Sequence, residues 1–187
     1  MQRHPWRNLP NAITLLRLGL VPAMAFFAAS GAYAIALPIF LVAAVSDLAD
    51  GYIARRLKVV SSLGALLDPV ADKLSMFVAT VVLAWQDLLP IWLAAAIIGR
   101  DIVIVVGAIA YRLARGRLQI KPTRLSKVNT FLEFAVLLLV MAIAAGWIDT
   151  GMWIRILFAI VFGTVLASGT QYVWRWGRKA MAQPRTR

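Results

Sequence analysis

The chain has 187 residues, of which 61% are hydrophobic and 15% charged, and its mean hydropathy is +0.79. That apolar share lies far above the usual one for soluble globular domains and excludes an ordinary water-soluble domain. Lys and Arg number 20 against 8 Asp and Glu, a net charge of +12; in so apolar a chain this points to cytoplasmic loops and anionic lipid rather than nucleic acid, and the absence of cysteine excludes disulfides and thiolate chemistry.

His4 is the only histidine and lies in the N-terminal tail, so histidine chemistry is not expected. The tail, 1–11, ends in Asn8-Leu9-Pro10-Asn11, which is expected to lie along a membrane surface, with Pro10 and Asn11 setting the start of the first helix. Apolar stretches then run about Ala12–Ala29, Ala32–Ile53, Leu63–Leu88, Pro90–Leu113, Leu125–Trp147 and Met152–Trp174, each near the roughly 20 residues that cross a bilayer. Turn or charge signals separate them: Ser30-Gly31, Arg55 to Ser62, Asp87, Arg115 to Arg124, and Asp149 to Gly151. The expectation is an all-α, polytopic integral membrane protein with six transmembrane helices and a short N-terminal interfacial segment. A single membrane-embedded domain fills 1–187, with a basic tail at 175–187.

Basic residues fix the orientation. Arg3, Arg7, Arg55, Arg56, Lys58, the stretch Arg112 to Lys127, and Arg175 to Arg187 all fall on one side of a six-span topology, while the opposite loops hold Asp87 and Asp149. Arg155 alone lies on that opposite side, one turn into the sixth span, and by the positive-inside rule both termini face the cytoplasm. Trp6, Trp85, Trp92, Trp147, Trp153, Trp174 and Trp176 fall near span ends, where indole favours the interface. The run ending Ala28-Ala29-Ser30-Gly31-Ala32 loosely imitates a secretory signal. Arg17 interrupts it, however, and its removal would leave an odd number of spans and spoil the charge asymmetry.

Four of the eight carboxylates, Asp47, Asp50, Asp68 and Asp72, gather around the junction of the second and third spans. An ionisable side chain at bilayer depth is costly unless paired or metal-bound, so each is a functional candidate. Asp47 and Asp50 are spaced i,i+3 and Asp68 and Asp72 i,i+4, so each pair shares a helix face and two antiparallel helices can converge all four. Oxygen ligands without His or Cys select hard divalent cations, Mg²⁺, Mn²⁺ or Ca²⁺, and two such ions would neutralise the four acids. Gly51, Ala54 and Gly64 keep the same faces small, and Arg55 supplies a forked cation suited to phosphate. With Arg17 and Lys73 also in the cytoplasmic part of their spans, these residues describe a pyrophosphate site at the inner interface, open to a soluble nucleotide from the cytoplasm and to a lipid from between the helices.

Asp47, Asp50, Gly51, Ala54 and Arg55, then eight residues, then Gly64, Asp68 and Asp72 match D-x-x-D-G-x-x-A-R…G-x-x-x-D-x-x-x-D without a departure. The pattern resembles the signature of the CDP-alcohol phosphotransferases (CDP-alcohol phosphatidyltransferases). The resemblance implies a six-helix membrane fold, a homodimer and two divalent metal ions, Mg²⁺ or Mn²⁺, with CMP displaced from a CDP-linked substrate. Carried over by position, Asp47, Asp50, Asp68 and Asp72 are the metal ligands and Asp72 is also the base on the acceptor hydroxyl. Asp50, Gly51, Ala54, Arg55, Gly64 and Asp68 line the cytidine diphosphate. Removing Asp72 is expected to harm catalysis more than nucleotide binding.

The segment from Asn8 through Thr14 to Arg17, with Pro22 following, resembles the start of the phosphatidylglycerophosphate and cardiolipin synthases of this family. Lys121-Pro122-Thr123-Arg124-Leu125-Ser126-Lys127-Val128-Asn129-Thr130 resembles the eukaryotic-type cardiolipin branch more narrowly, as do Arg100-Asp101 and the ending from Tyr172 to Lys179; Glu133 departs from it, standing where that branch has a neutral glutamine. Arg17, Arg100, Lys121, Arg124, Lys127 and Asn129 are the candidates to hold an acceptor or lipid phosphate. Lys121, Arg124 and Lys127 also read as flanking charge, Ser126 and Asn129 as interhelical polar contacts, and Arg100 as a partner of Asp101 or Glu133. The expected reaction is phosphatidyl transfer from CDP-diacylglycerol to phosphatidylglycerol, giving cardiolipin and CMP, with glycerol 3-phosphate as the alternative acceptor. A divalent-cation channel is the remote alternative, disfavoured because the outer halves of the spans hold almost no polar residues. The short basic start resembles neither a transit peptide nor an added soluble domain, which favours a bacterial inner membrane.

Overall fold

The computed structural model describes residues 9–57, 62–115, 123–149 and 151–182. Among the described residues six helices appear in chain order: α1 (Leu9–Ala29), α2 (Tyr33–Leu57), α3 (Ser62–Trp85), α4 (Ile91–Arg115), α5 (Arg124–Ala144) and α6 (Trp153–Ala182). No strand occurs among the described residues. Each expected apolar stretch therefore becomes one helix, in the expected order. Several boundaries move: α1 begins at Leu9, so Pro10 and Asn11 lie inside its first turn rather than ahead of it. Proline is tolerated there because its missing N–H would have no helical partner in the first turn. At the other end, α6 continues to Ala182 and carries Arg175 and Arg178 in helix.

Two helical stretches among the described residues, Arg124–Ala144 and Trp153–Arg175, are long and apolar enough to cross a membrane. The apolar stretches found in α1, α2 and α3 are shorter, Leu16–Ala29, Tyr33–Ser46 and Lys73–Trp85. Trp85, Trp147, Trp153 and Trp174 are all more than half exposed; the first three stand at or just beyond helix ends, and Trp174 lies within α6 near the end of the apolar stretch Trp153–Arg175.

The chain divides into two compact units, residues 1–89 with 137–149, and residues 90–136 with 150–187. In the first, α1 packs against both α2 and α3, and α2 and α3 touch each other. Its core is built from Val21, Met24 and Ala28 of α1, Leu37 and Phe40 of α2, Ala79 and Leu83 of α3, and Leu137 and Met141 of α5. Small residues at Ala28, Ala36 and Ala79, each without measurable exposure, allow the close packing that holds helices together where lipid removes any hydrophobic drive.

Three turns share one closure. After α1, Ala32 N–H donates to Phe27 O at 2.8 Å and Gly31 N–H to Ala28 O at 3.1 Å, with Gly31 at φ 78°. The same pair of bonds closes α5 through Gly146 (φ 72°) and Trp147, and closes α3 through Asp87 (φ 58°) and Leu88. These are Schellman motifs, in which a left-handed residue lets the last carbonyls find donors. Gln86 Nε2 adds a 2.5 Å bond to Ala29 O, joining the ends of α3 and α1.

In the second unit α4 packs on α6, with Leu93 and Ile97 facing a core that includes Phe158, Val161 and Val165, and with Trp92 edge-on to Phe162 at 5.1 Å. From α5 this unit takes a buried polar row, Ser126, Asn129 and Glu133, followed by buried Val136.

Candidate functional site

All eight positions of the aspartate pattern lie in helix. Asp47, Asp50, Gly51, Ala54 and Arg55 fall in the second half of α2, and Gly64, Asp68 and Asp72 in the first half of α3. Both carboxylate spacings thus run through unbroken helix, in two helices that touch one another within the first unit. The side chains of these residues lie outside those described. As a donor set, four carboxylates without His or Cys suit two hard divalent cations and no softer metal. Arg17, on α1 of the same unit, is 1% exposed, and Lys73 follows Asp72 in α3 at intermediate exposure.

Lys121 lies outside the described residues, and Arg124 and Lys127 are exposed in the first turn of α5. Arg100 and Asn129 are buried, at 6% and 0% exposure. Arg100 is held by its own unit: Nη1 donates to Asp101 Oδ1 at 2.6 Å, and Nη2 donates to Ser126 Oγ of α5 at 2.7 Å and to Ser168 Oγ of α6 at 3.1 Å. One guanidinium therefore joins three helices, the planar fork reaching partners that a lysine ammonium would not match. Asn129 Nδ2 donates to Glu133 Oε1 at 2.6 Å one turn along α5, while Asn129 Oδ1 is buried without a partner among the described residues.

This polar layer was only half legible. Pairing of Arg100 with Asp101 and interhelical bonding by Ser126 are among the expected alternatives; the contribution of Ser168, far along the chain, is not. Thr123 was also missed as a structural residue. Its Oγ1 accepts from Ser126 N–H at 3.0 Å and its carbonyl accepts from Lys127 N–H at 3.2 Å, which makes it the N-cap of α5. A threonine after Pro122, just ahead of an apolar run, is the signal that could have identified it.

Residues 7–165 match the sequence model of the CDP-alcohol phosphatidyltransferase family. The chain belongs to that family. Its aspartate pattern, α1 to α5 and the start of α6 fall inside the matched span. Among curated members of the family resemblance, the chain is 31% identical to human "Cardiolipin synthase (CMP-forming)", over 97% of this chain and 65% of that protein. It is 32% identical to the Streptomyces coelicolor protein of the same name, over 95% of this chain and 83% of that one. It is 29% identical to the Bacillus subtilis "CDP-diacylglycerol--glycerol-3-phosphate 3-phosphatidyltransferase", over 83% of this chain and 91% of that one. The chain thus spans just under two thirds of the human protein's length. Two different activities are thus named among relatives that resemble this chain almost equally.

Proposed function

We propose that this chain is a membrane-embedded phosphatidyltransferase of phospholipid biosynthesis, a cardiolipin synthase that transfers the phosphatidyl group of CDP-diacylglycerol to phosphatidylglycerol. The observation that carries the reading is the complete aspartate pattern, Asp47 to Asp72, set in two adjoining helices. The free primary hydroxyl of phosphatidylglycerol attacks the diacylglycerol-linked phosphorus, a new phosphate ester bond forms, and the bond to the CMP phosphate breaks. Asp72 takes the hydroxyl proton. Asp47, Asp50, Asp68 and Asp72 hold two divalent ions, Mg²⁺ or Mn²⁺, which supply charge stabilisation at the diphosphate when bound. Arg55 pairs with a diphosphate oxygen, and Gly51, Ala54 and Gly64 leave room for the nucleotide beside the helix backbones.

Arg17, Lys121, Arg124, Lys127 and Asn129 are assigned to the anionic acceptor, and Arg100, with both terminal nitrogens engaged by protein, to clamping the helices beside it. The bundle spans the membrane six times as a homodimer, with both termini and the reaction centre at the cytoplasmic face of a bacterial inner membrane. That topology rests on the one-sided distribution of Lys and Arg. The second reading, glycerol 3-phosphate as acceptor, is supported by the similarity to the Bacillus subtilis protein.

Purified chain given CDP-diacylglycerol and Mn²⁺ or Mg²⁺, with either acceptor in parallel, separates the two. Cardiolipin is the expected product, and Asp72→Asn lowers the rate by at least about 100-fold while CDP-diacylglycerol still binds. Phosphatidylglycerophosphate as the only product would replace the acceptor and keep the rest.

A further inference from the structure

Within the second unit α4 and α6 leave between them an open groove of about 610 Å³, within the range of roughly 300–1,000 Å³ typical of small-molecule sites. Ala95, Ala96 and Gly99 of α4 and Val165, Gly169 and Val173 of α6 line it. A Cβ on Gly99 would meet nothing within 4 Å, and one on Gly169 would meet only Arg100 Cγ at 3.7 Å. The groove is therefore open beside both helices because these two positions lack side chains.

Its polarity is graded. The apolar α6 residues belong to the membrane-crossing stretch Trp153–Arg175, Trp174 closes that stretch at 69% exposure, and exposed Arg178 follows one turn later. Side chains on a helix tilt towards its N-terminus, so Arg178 reaches back over the groove. A second cation lies deeper: Arg100 lines the wall, is 6% exposed, and its Nε is buried without a partner among the described residues. No carboxylate is among the described residues that line the groove.

An apolar slot at membrane depth, a buried donor above it and an interfacial guanidinium follow the order of parts in a phospholipid. We propose that the groove binds one anionic glycerophospholipid of the surrounding bilayer. An acyl chain lies between α4 and α6, an ester oxygen accepts from Arg100 Nε, and the phosphate sits on Arg178. Arg178 meets no carboxylate among the described residues that line the groove and selects an anionic headgroup over a zwitterionic one, while Arg100, its charge met by Asp101, contributes a donor. The site goes beyond the proposed reaction, because it uses none of the residues assigned to metal, nucleotide or acceptor and holds whichever acceptor the enzyme takes.

The test uses the full chain in phosphatidylcholine vesicles with a trace of phosphatidylglycerol carrying a photoreactive diazirine in one acyl chain, and maps adducts by peptide mass. Adducts within 95–103 and 165–178 are expected, competed by unlabelled phosphatidylglycerol and not by added phosphatidylcholine. Adducts on α2 and α3 would report the reaction centre and are scored separately. Arg178→Gln should lower the groove adducts about tenfold, and Gly99→Leu, which fills the slot, should remove them. Equal competition by phosphatidylcholine, or groove adducts that survive Arg178→Gln, would overturn the proposal. So would adducts that disappear as protein density in the vesicle rises, which would assign the groove to a second copy of the chain. If Gly99→Leu loses its helical circular dichroism, Arg178→Gln decides, since that residue is exposed and its loss leaves no buried hole.

Discussion

Arg100 shows how a charged residue earns a place among apolar helices. Its Nη2 serves α5 and α6 at once, through Ser126 and Ser168. Interhelical hydrogen bonds in membranes are worth about 0.6 kcal/mol on average and up to roughly 1.7, so Ser168→Ala should destabilise the chain by about that much. Arg100→Leu should cost more, because Asp101 then loses its 2.6 Å partner, and Arg100→Lys should recover only part of the loss. Thermal unfolding in detergent orders the three variants. Glu133 gives a complementary case: its Oε1 accepts from Asn129, a role that a glutamine oxygen can also fill. Glu133→Gln keeps that acceptor and removes the charge, so thermal unfolding and the ratio of rates with the two acceptors, measured side by side, report what the charge contributes to stability and to acceptor choice.

At the scale of elements, the sequence marked existence and order better than edges. Ser30-Gly31 and Asp87 were legible as breaks because Gly, and less often Asp, tolerates positive φ, and each now stands in a Schellman turn. Gly31→Ala should cost about 1 kcal/mol through that left-handed backbone, while Asp87→Gly should be neutral or stabilising; paired unfolding curves test both signs. Thr123→Ala removes the acceptor that caps α5 and should cost about 1 kcal/mol. Legibility failed where partners are remote. Nothing local in α4 announces that Ser168 will meet Arg100, since that meeting is set by how α4 and α6 pack, not by spacing along one helix. For the aspartates, the pattern was readable because all its members sit within one helical hairpin.

For the whole molecule, the outward-facing apolar side chains are as telling as the cores. Ile102, Val103, Val105, Val106 and Ile109 of α4 and Ile160, Leu166 and Val173 of α6 are all exposed, a surface that water would not tolerate and lipid tails would cover. The six-span topology is open to a direct test because the chain has no cysteine of its own. Single cysteines at Ser30 and Thr150 should react with an impermeant maleimide from outside intact cells, and cysteines at Gln2 and Gln183 only after lysis; a split between the two termini would mean an odd number of spans. The turn at Gly31 has a consequence for how such a chain is made. Only Ser30, Gly31 and Ala32 separate α1 from α2, and their backbone bonds are closed within the turn itself. So brief a link offers no polar stretch at which the first helix could be released into the bilayer ahead of the second. On the six-span reading, the two would leave the insertion machinery together as a hairpin, and the first aspartates would reach the membrane already tethered to the helix that carries Arg17.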